Sequence, residues 1–248
     1  MLELVGISKR FGGVTALDDV SLTVGDGEVV GLIGPNGAGK TTLFHVVSGF
    51  LRPDRGRLRF QGRDLTGLPP HVICRLGLAR TFQIVQPFTQ MTVEDNVAVG
   101  YLFGRRGARA TVRQGRQAAR RLLELLELGQ AAAQPAGTLN LSERKRLEVA
   151  RALATGPQLL CLDEVMSGLA PVELDRMADV IVRLRAELHL ALLMVEHNVR
   201  LVTRVCPRVV VLNFGQVIAD GPADAVMADP RVVAAYLGDR RTRSAARA

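Results

Sequence analysis

The stretch with the plainest chemical meaning is Gly34-Pro35-Asn36-Gly37-Ala38-Gly39-Lys40-Thr41-Thr42. It has the spacing G-x-x-x-x-G-K-[ST] of a phosphate-binding P-loop. Its glycines let backbone N–H groups turn inward as an anion nest. A helix opening near Gly39 would aim its positive dipole end at the same point. On this reading all nine residues cradle the phosphates of ATP. Lys40 reaches the β- and γ-phosphates, and the Thr41 hydroxyl ligates Mg²⁺. The alternative is a glycine-rich turn without a ligand.

Phosphoryl transfer also needs carboxylates, and Leu159-Leu160-Cys161-Leu162-Asp163-Glu164 supplies two at the end of an apolar run. Asp163 would hold Mg²⁺ through water, and Glu164 would polarise the attacking water. Acids at the C-terminal end of a parallel strand stand where such sheets bind ligands. The protein's part is then positioning and charge stabilisation rather than covalent chemistry. Val195-Glu196-His197 closes a further apolar run, so His197 can donate to the γ-phosphate. A lone histidine is otherwise usually structural. Gln83, in Arg80-Thr81-Phe82-Gln83 after a helix-like segment, can reach the metal or the water.

These groups need elements to carry them. Leu2 to Ser8 and Leu17 to Val24 alternate in polarity, as half-buried strands do, and Glu28 to Ile33 reads as a fully buried strand. Lys40 to about Phe50 and Thr89 to Leu128 read as helical. Arg106, Arg109, Arg113, Arg116 and Arg120 recur at steps of three and four, on one helical face. A solvated basic face is the plainer reading of that stripe, and a partner or lipid-headgroup contact the other. From Gln158 onward, apolar runs at 158–162 and 191–195 flank a helical stripe of Leu174, Met177, Ala178, Ile181 and Leu184. Strands alternating with helices argue a parallel sheet with crossover helices. Arg208 to Leu212 and Gln216 to Ala219 read as two more strands.

Composition sets the outer limits. The 248 residues are 48% hydrophobic and 23% charged, which excludes a disordered chain. Runs such as Leu190 to Val195 fall far short of the ~20 residues of a membrane-crossing helix. The N-terminus shows no secretory signal. The net charge is +8, carried by arginine except for Lys9, Lys40 and Lys145. That excess permits an anionic partner without naming one. Cys74, Cys161 and Cys206 lie far apart, which fits buried thiols in a reducing compartment.

Taken together, the motifs resemble the nucleotide-binding subunit of ABC transporters, over about Leu2 to Gly238. Several stretches are most similar to importers of branched-chain and other hydrophobic amino acids: Phe11-Gly-Gly-Val-Thr-Ala-Leu, Gly77-Leu-Ala-Arg-Thr-Phe-Gln83, Met91-Thr-Val-Glu-Asp-Asn and Val233-Ala-Ala-Tyr-Leu-Gly238. The resemblance implies an α/β fold: a P-loop ATPase (RecA-like) core with an antiparallel β subdomain and an inserted helical subdomain. It implies one ABC domain over 1–238, with core and β subdomain at 1–87 and 156–238, helical subdomain at 88–155, and a basic tail at 239–248. It places Phe11 against adenine and assigns catalysis to Glu164, His197 and Gln83. It gives Mg²⁺ the ligands Thr41, Gln83 and Asp163. It makes Asn140, Leu141, Ser142 and Glu143 the signature that contacts ATP bound to the other subunit. Implied partners are transmembrane permease subunits, a second ATPase subunit as homo- or heterodimer and, indirectly, a substrate-binding protein. The expected location is peripheral, on the cytoplasmic face of the cell membrane.

The family's signature reads Leu-Ser-Gly-Gly-Gln, whereas Leu139-Asn-Leu-Ser-Glu143 stands here. Val165 replaces a proline after Glu164, and the D-loop Ser167-Gly-Leu-Ala170 lacks its closing Asp or Asn. These departures suggest unequal sites in a heterodimer. Other readings are a lipopolysaccharide-export ATPase and a soluble ABC ATPase of nucleic acid or the ribosome. The second lacks the paired domains or coiled-coil insert it needs, so no nucleic acid is expected.

Overall fold

A computed structural model describes residues 1–236 except 106, 108 and 109. The chain divides into two compact units, Met1–Leu68 with Leu193 onward, and Pro69–Leu192.

The first unit contains two sets of strands. β1 (Leu2–Phe11), β2 (Val14–Val24), β4 (Arg55–Phe60) and β5 (Arg63–Asp64) form an antiparallel sheet in the order β2-β1-β4-β5. Alternation in β1 places Leu2, Leu4 and Ile7 in its core. The second set holds β3 (Val29–Ile33), buried at every residue, parallel to β9 (Arg208–Asn213). β10 (Gln216–Pro222) returns antiparallel to β9. Helix α1 (Lys40–Val47) follows β3. Helix α7 (Val199–Val205) packs on β3 so closely that a Cβ on Gly31 would meet Val202 at 2.5 Å. α8 (Ala223–Ala228) follows β10, and residues 230–236 are helical.

The second unit pairs β6 (Leu78–Arg80) in parallel with β7 (Leu159–Asp163), in the register Leu78↔Leu159, Ala79↔Leu160 and Arg80↔Cys161. Helix α2 (Pro70–Leu76) leads into β6. Helices α3 (Val93–Phe103), α4 (Val112–Leu125) and α5 (Leu141–Ala154) pack on one another before β7. Helix α6 (Pro171–Leu188) follows it, with Met177, Ala178, Ile181 and Leu184 of the expected stripe buried. β8 (Ala191–Val195), buried throughout, runs through the division between the units.

Several expectations change. The helix expected from Thr89 to Leu128 is two helices, α3 ending at the extended Gly104 and α4 opening on a Thr111–Gln114 capping box. The helix after the glycine loop ends at Val47, where Ser48 caps it, rather than near Phe50. Before Gln83 stand helix α2 and, between the two, the short strand β6. Cys161 and Cys206 are buried, but Cys74 is half-buried. On the arginine stripe, Arg116 pairs with Asp95 at 2.7 Å and Arg120 with Glu94 at 2.6 Å, so acids of α3 neutralise part of it. Arg106 and Arg109 lie outside the described residues, as does the tail 239–248.

Candidate active site

The glycine loop is held by close backbone approach. A Cβ on Gly34, at φ 153°, would sit 2.1 Å from the Leu212 carbonyl oxygen, so only glycine passes β9 there. Gly39, the N-cap of α1 at φ 103°, would drive a Cβ to 2.5 Å from the Ala16 oxygen. The Lys40 side chain is buried, and its ammonium donates to the carbonyls of Gly34 at 2.7 Å and Pro35 at 2.9 Å. Asn36, Gly37 and Thr41 are exposed, while Ala38 is buried and accepts from the Gly215 N–H at 3.0 Å. The loop thus joins an exposed backbone turn to a tethered cation at a helix N-terminus, an arrangement suited to a polyanion. Tyr236 also meets this loop. The Gly34 N–H hydrogen-bonds its hydroxyl, and burial pushes that hydroxyl up to about 12. Phe11 ends β1 and is 51% exposed, with the Lys9 ammonium 5.8 Å from its ring. A half-open ring of this kind can stack on a flat heterocycle.

In the second unit β7 delivers the carboxylates. Asp163 and Glu164 are only 3% and 7% exposed. Residues 80–83 hold both. Arg80 Nη2 donates to Asp163 Oδ2 at 2.6 Å, and Gln83 Nε2 donates to Glu164 Oε2 at 2.7 Å. Between them, the Thr81 hydroxyl accepts from the Asp163 N–H at 3.0 Å, and the Thr81 N–H donates to the Cys161 carbonyl at 3.0 Å. Parallel pairing of β6 with β7 explains the match, because Arg80 sits across from Cys161 and reaches two residues further along. Glu164 has φ 49°, a left-handed conformation that costs a non-glycine residue about 1–2 kcal/mol. Its carbonyl accepts from the Lys145 ammonium at 3.0 Å and the Ser167 N–H at 3.2 Å, which holds the turn.

Helix α5 grips the same segment from one face. Lys145 donates to the Gln83 carbonyl at 3.1 Å, and Glu148 accepts from the Phe82 N–H. Arg151 donates to the Gln86 carbonyl at 3.1 Å and lies 5.1 Å from the Phe88 ring. Burial raises the Glu148 carboxyl, against the lowering pull of Arg151. Sequence reasoning assigned no role to Arg80, Thr81, Lys145, Glu148 or Arg151. The available signal was charge at steps of three on a helix: Lys145, Glu148 and Arg151 recur among buried apolar neighbours.

The residues expected to form the signature open α5. Asn140 is its N-cap, with a complete capping box. Asn140 Oδ1 accepts from the Glu143 N–H at 2.9 Å, and Glu143 Oε2 accepts from the Asn140 N–H at 2.9 Å. Leu141 is 49% exposed and Ser142 is buried. A Cβ on Gly168 of the D-loop would lie 3.4 Å from Leu141. His197 does not close a strand as expected. β8 ends at Val195, and His197 stands exposed beyond it. The structure therefore brings together Gln83, Asp163 and Glu164, separately Gly34 to Thr42, and separately Asn140 to Glu143.

Comparisons with known proteins agree with these motifs. Residues 17–167 match the ABC transporter family, and residues 216–242 match the branched-chain amino acid ATP-binding cassette transporter family. The chain is 39% identical over 250 residues to the high-affinity branched-chain amino acid transport ATP-binding protein BraF of Pseudomonas aeruginosa, covering 96% of this chain and 98% of that one. It is 38% identical over 240 residues to the lipopolysaccharide export system ATP-binding protein LptB of Acidithiobacillus ferridurans, covering 97% and 98%. A crystal structure of a nucleotide-free ATP-binding cassette from an ABC transporter superposes with a TM-score of 0.86 at 33% identity, covering 95% and 98%.

Proposed function

The chain belongs to the ABC transporter ATP-binding family, and we propose that it is the ATP-hydrolysing subunit of an importer for branched-chain or other hydrophobic amino acids. The observation that carries the hydrolytic reading is the buried Asp163–Glu164 pair, gripped side chain by side chain by Arg80 and Gln83. The substrate class rests on similarity to BraF and on the match over 216–242. The stretch Arg80-Thr81-Phe82-Gln83 favours import over the export role named for LptB.

In this reading the loop 34–42 binds the triphosphate, Lys40 neutralises its charge, and Phe11 stacks on the base. Glu164 polarises the attacking water, Gln83 orients it, and His197 donates to the γ-phosphate. The residues assigned to Mg²⁺ suit a hard cation. The Thr41 hydroxyl, the Gln83 amide oxygen and the Asp163 carboxylate are all oxygen donors, and Arg80 takes Oδ2 of Asp163, which leaves Oδ1 for the ion. When bound, the ion offsets charge on the phosphate oxygens. No described helix is long and apolar enough to cross a membrane. We assign passage of the substrate to permease partners, served by a substrate-binding protein, with this chain on the cytoplasmic face. Coupling would use the surface near Gln83 and the helical segment 88–155. The catalytic unit would be a dimer with a second ATPase subunit, with unequal sites if that subunit is a different chain.

Glu164→Gln in the assembled transporter tests the assignment. Nucleotide affinity should stay within about threefold, hydrolysis should fall by ~10²-fold or more, and an ATP-bound dimer should accumulate. Normal hydrolysis would reject Glu164 as the water-activating group. Purification of the tagged chain from membranes in mild detergent tests the rest. Two membrane subunits and a second ATPase are expected, whereas ribosomes or nucleic acid would end the importer reading.

A further inference from the structure

Asp163 is assigned to the metal, yet its carboxylate already has a cationic partner in the fold. Arg80 Nη2 stands 2.6 Å from Oδ2, and the side chains are 5% and 4% exposed. An ionised carboxylate so far from water is costly without a counter-charge. A guanidinium is always charged and points its donors along fixed directions. Arg80 is itself constrained. Its strand is paired with β7 through Leu78 to Arg80, and its guanidinium carbon lies 5.5 Å from the Phe82 ring. The backbone at Asp163 is fixed as well, by the Thr81 hydroxyl at 3.0 Å. The carboxylate is thus fixed from its own main chain and from one of its two oxygens. A carboxylate held at one oxygen presents the other in a set direction, and such outer hydrogen bonds tune how tightly a ligand carboxylate holds its metal.

We propose that Arg80 is a positioning residue for the divalent-cation site, fixing and charge-balancing Asp163 so that Oδ1 is left to hold the ion, directly or through its water. This rests on the reading of Asp163 as a metal ligand. The arginine would act through the carboxylate it is paired with. A strand-end ion pair serving stability alone would lower the melting temperature and leave the cation requirement unchanged.

The test uses the full chain, a non-hydrolysable ATP analogue, and Mn²⁺ as the probe, followed by loss of the free-ion electron paramagnetic resonance signal. In Arg80→Gln, half-saturation by Mn²⁺ should rise about 10–100-fold, the range for loss of an outer partner of a metal ligand. Binding of the analogue in EDTA should stay within about threefold of wild type. Arg80→Lys restores the charge without the planar fork and should recover part of the loss. An Mn²⁺ requirement within about threefold of wild type in Arg80→Gln would overturn the proposal. Asp163→Asn separates the two ideas. If it leaves Mn²⁺ binding intact, the metal-ligand reading itself falls. If it abolishes binding while Arg80→Gln does not weaken it, only the role of Arg80 falls. Should Arg80→Gln not fold, the wild-type chain labelled with ¹⁵N-arginine decides, with Arg80 assigned from Arg80→Lys. Its side-chain signal should shift with Mg²⁺ and analogue together and not with the analogue in EDTA. An unmoved signal overturns the proposal.

Discussion

Replacing Lys145 by Met should loosen the segment that carries Gln83. Lys145 is 4% exposed, and its ammonium donates to the carbonyls of Gln83 and Glu164 at 3.1 and 3.0 Å. Methionine keeps most of the stem's length and packing and removes the charge. Two effects oppose each other. Removing a buried ammonium relieves its desolvation, worth several kcal/mol. Against that stand two charge-assisted hydrogen bonds at about 1.5–3 kcal/mol each, and the Gln83 carbonyl left short of a donor at about 1–3 kcal/mol, while the Glu164 carbonyl keeps the Ser167 N–H. The losses exceed the relief, for a net of roughly 3 kcal/mol. In a chain of this size each kcal/mol moves the melting point by about 2–4 °C, so a fall of ~6–12 °C is expected. Differential scanning fluorimetry of the purified chain in EDTA reads it directly. Because Glu164 holds a left-handed backbone that Lys145 supports, hydrolysis should fall further than nucleotide affinity. A drop under about 2 °C with unchanged turnover would refute the argument.

Gly39→Ala should abolish nucleotide binding, because its Cβ would meet the Ala16 oxygen at 2.5 Å in a backbone already at φ 103°; filter binding of labelled ATP reads it. Cys161, buried with its thiol pushed up to about 12, should not react with a disulfide reagent in the native chain at pH 8, while the half-buried Cys74 reacts slowly. Release of a chromophoric thiolate counts both. Asn140→Ala should cost ~1 kcal/mol by removing the N-cap of α5, measured by urea unfolding.

The groups of the candidate site were legible in the sequence where chemistry fixes residue type and spacing together. The glycine loop is such a case: Gly34 and Gly39 answer to the Leu212 and Ala16 oxygens, which no other residue would clear. β7 was legible because its apolar run ending in two acids follows a glycine loop upstream; alone, such a run is often just a polar strand end. What stayed hidden depended on distance along the chain. Arg80 and Asp163 are 83 residues apart, and only the β6–β7 register brings them together. The grip of Lys145, Glu148 and Arg151 on residues 82–88 likewise exists only once α5 has packed. Helical periodicity runs through Gly104 and Gly107 and does not show the break between α3 and α4, which close backbone packing sets: added Cβ atoms there would strike backbone at 2.4 and 2.1 Å.

The same geometry gives the altered signature a physical meaning. A helix N-terminus attracts an anion through unsatisfied N–H groups and a positive dipole end. In α5 the capping box uses the N–H groups of Asn140 and Glu143, and the Glu143 carboxylate brings negative charge to that end. A phosphate arriving from a partner subunit would meet like charge and fewer donors. Glu143→Gln separates these effects, since glutamine keeps the reciprocal hydrogen bond and removes the charge. Stability should fall by no more than about 1 kcal/mol, the value of one charge at a helix end. In the assembled pair of ATPases, the site that uses this α5 should gain affinity for the nucleotide. If Glu143→Gln leaves that affinity unchanged, the charge is not what sets this signature apart, and the exposed Leu141, packed toward Gly168, becomes the residue to replace.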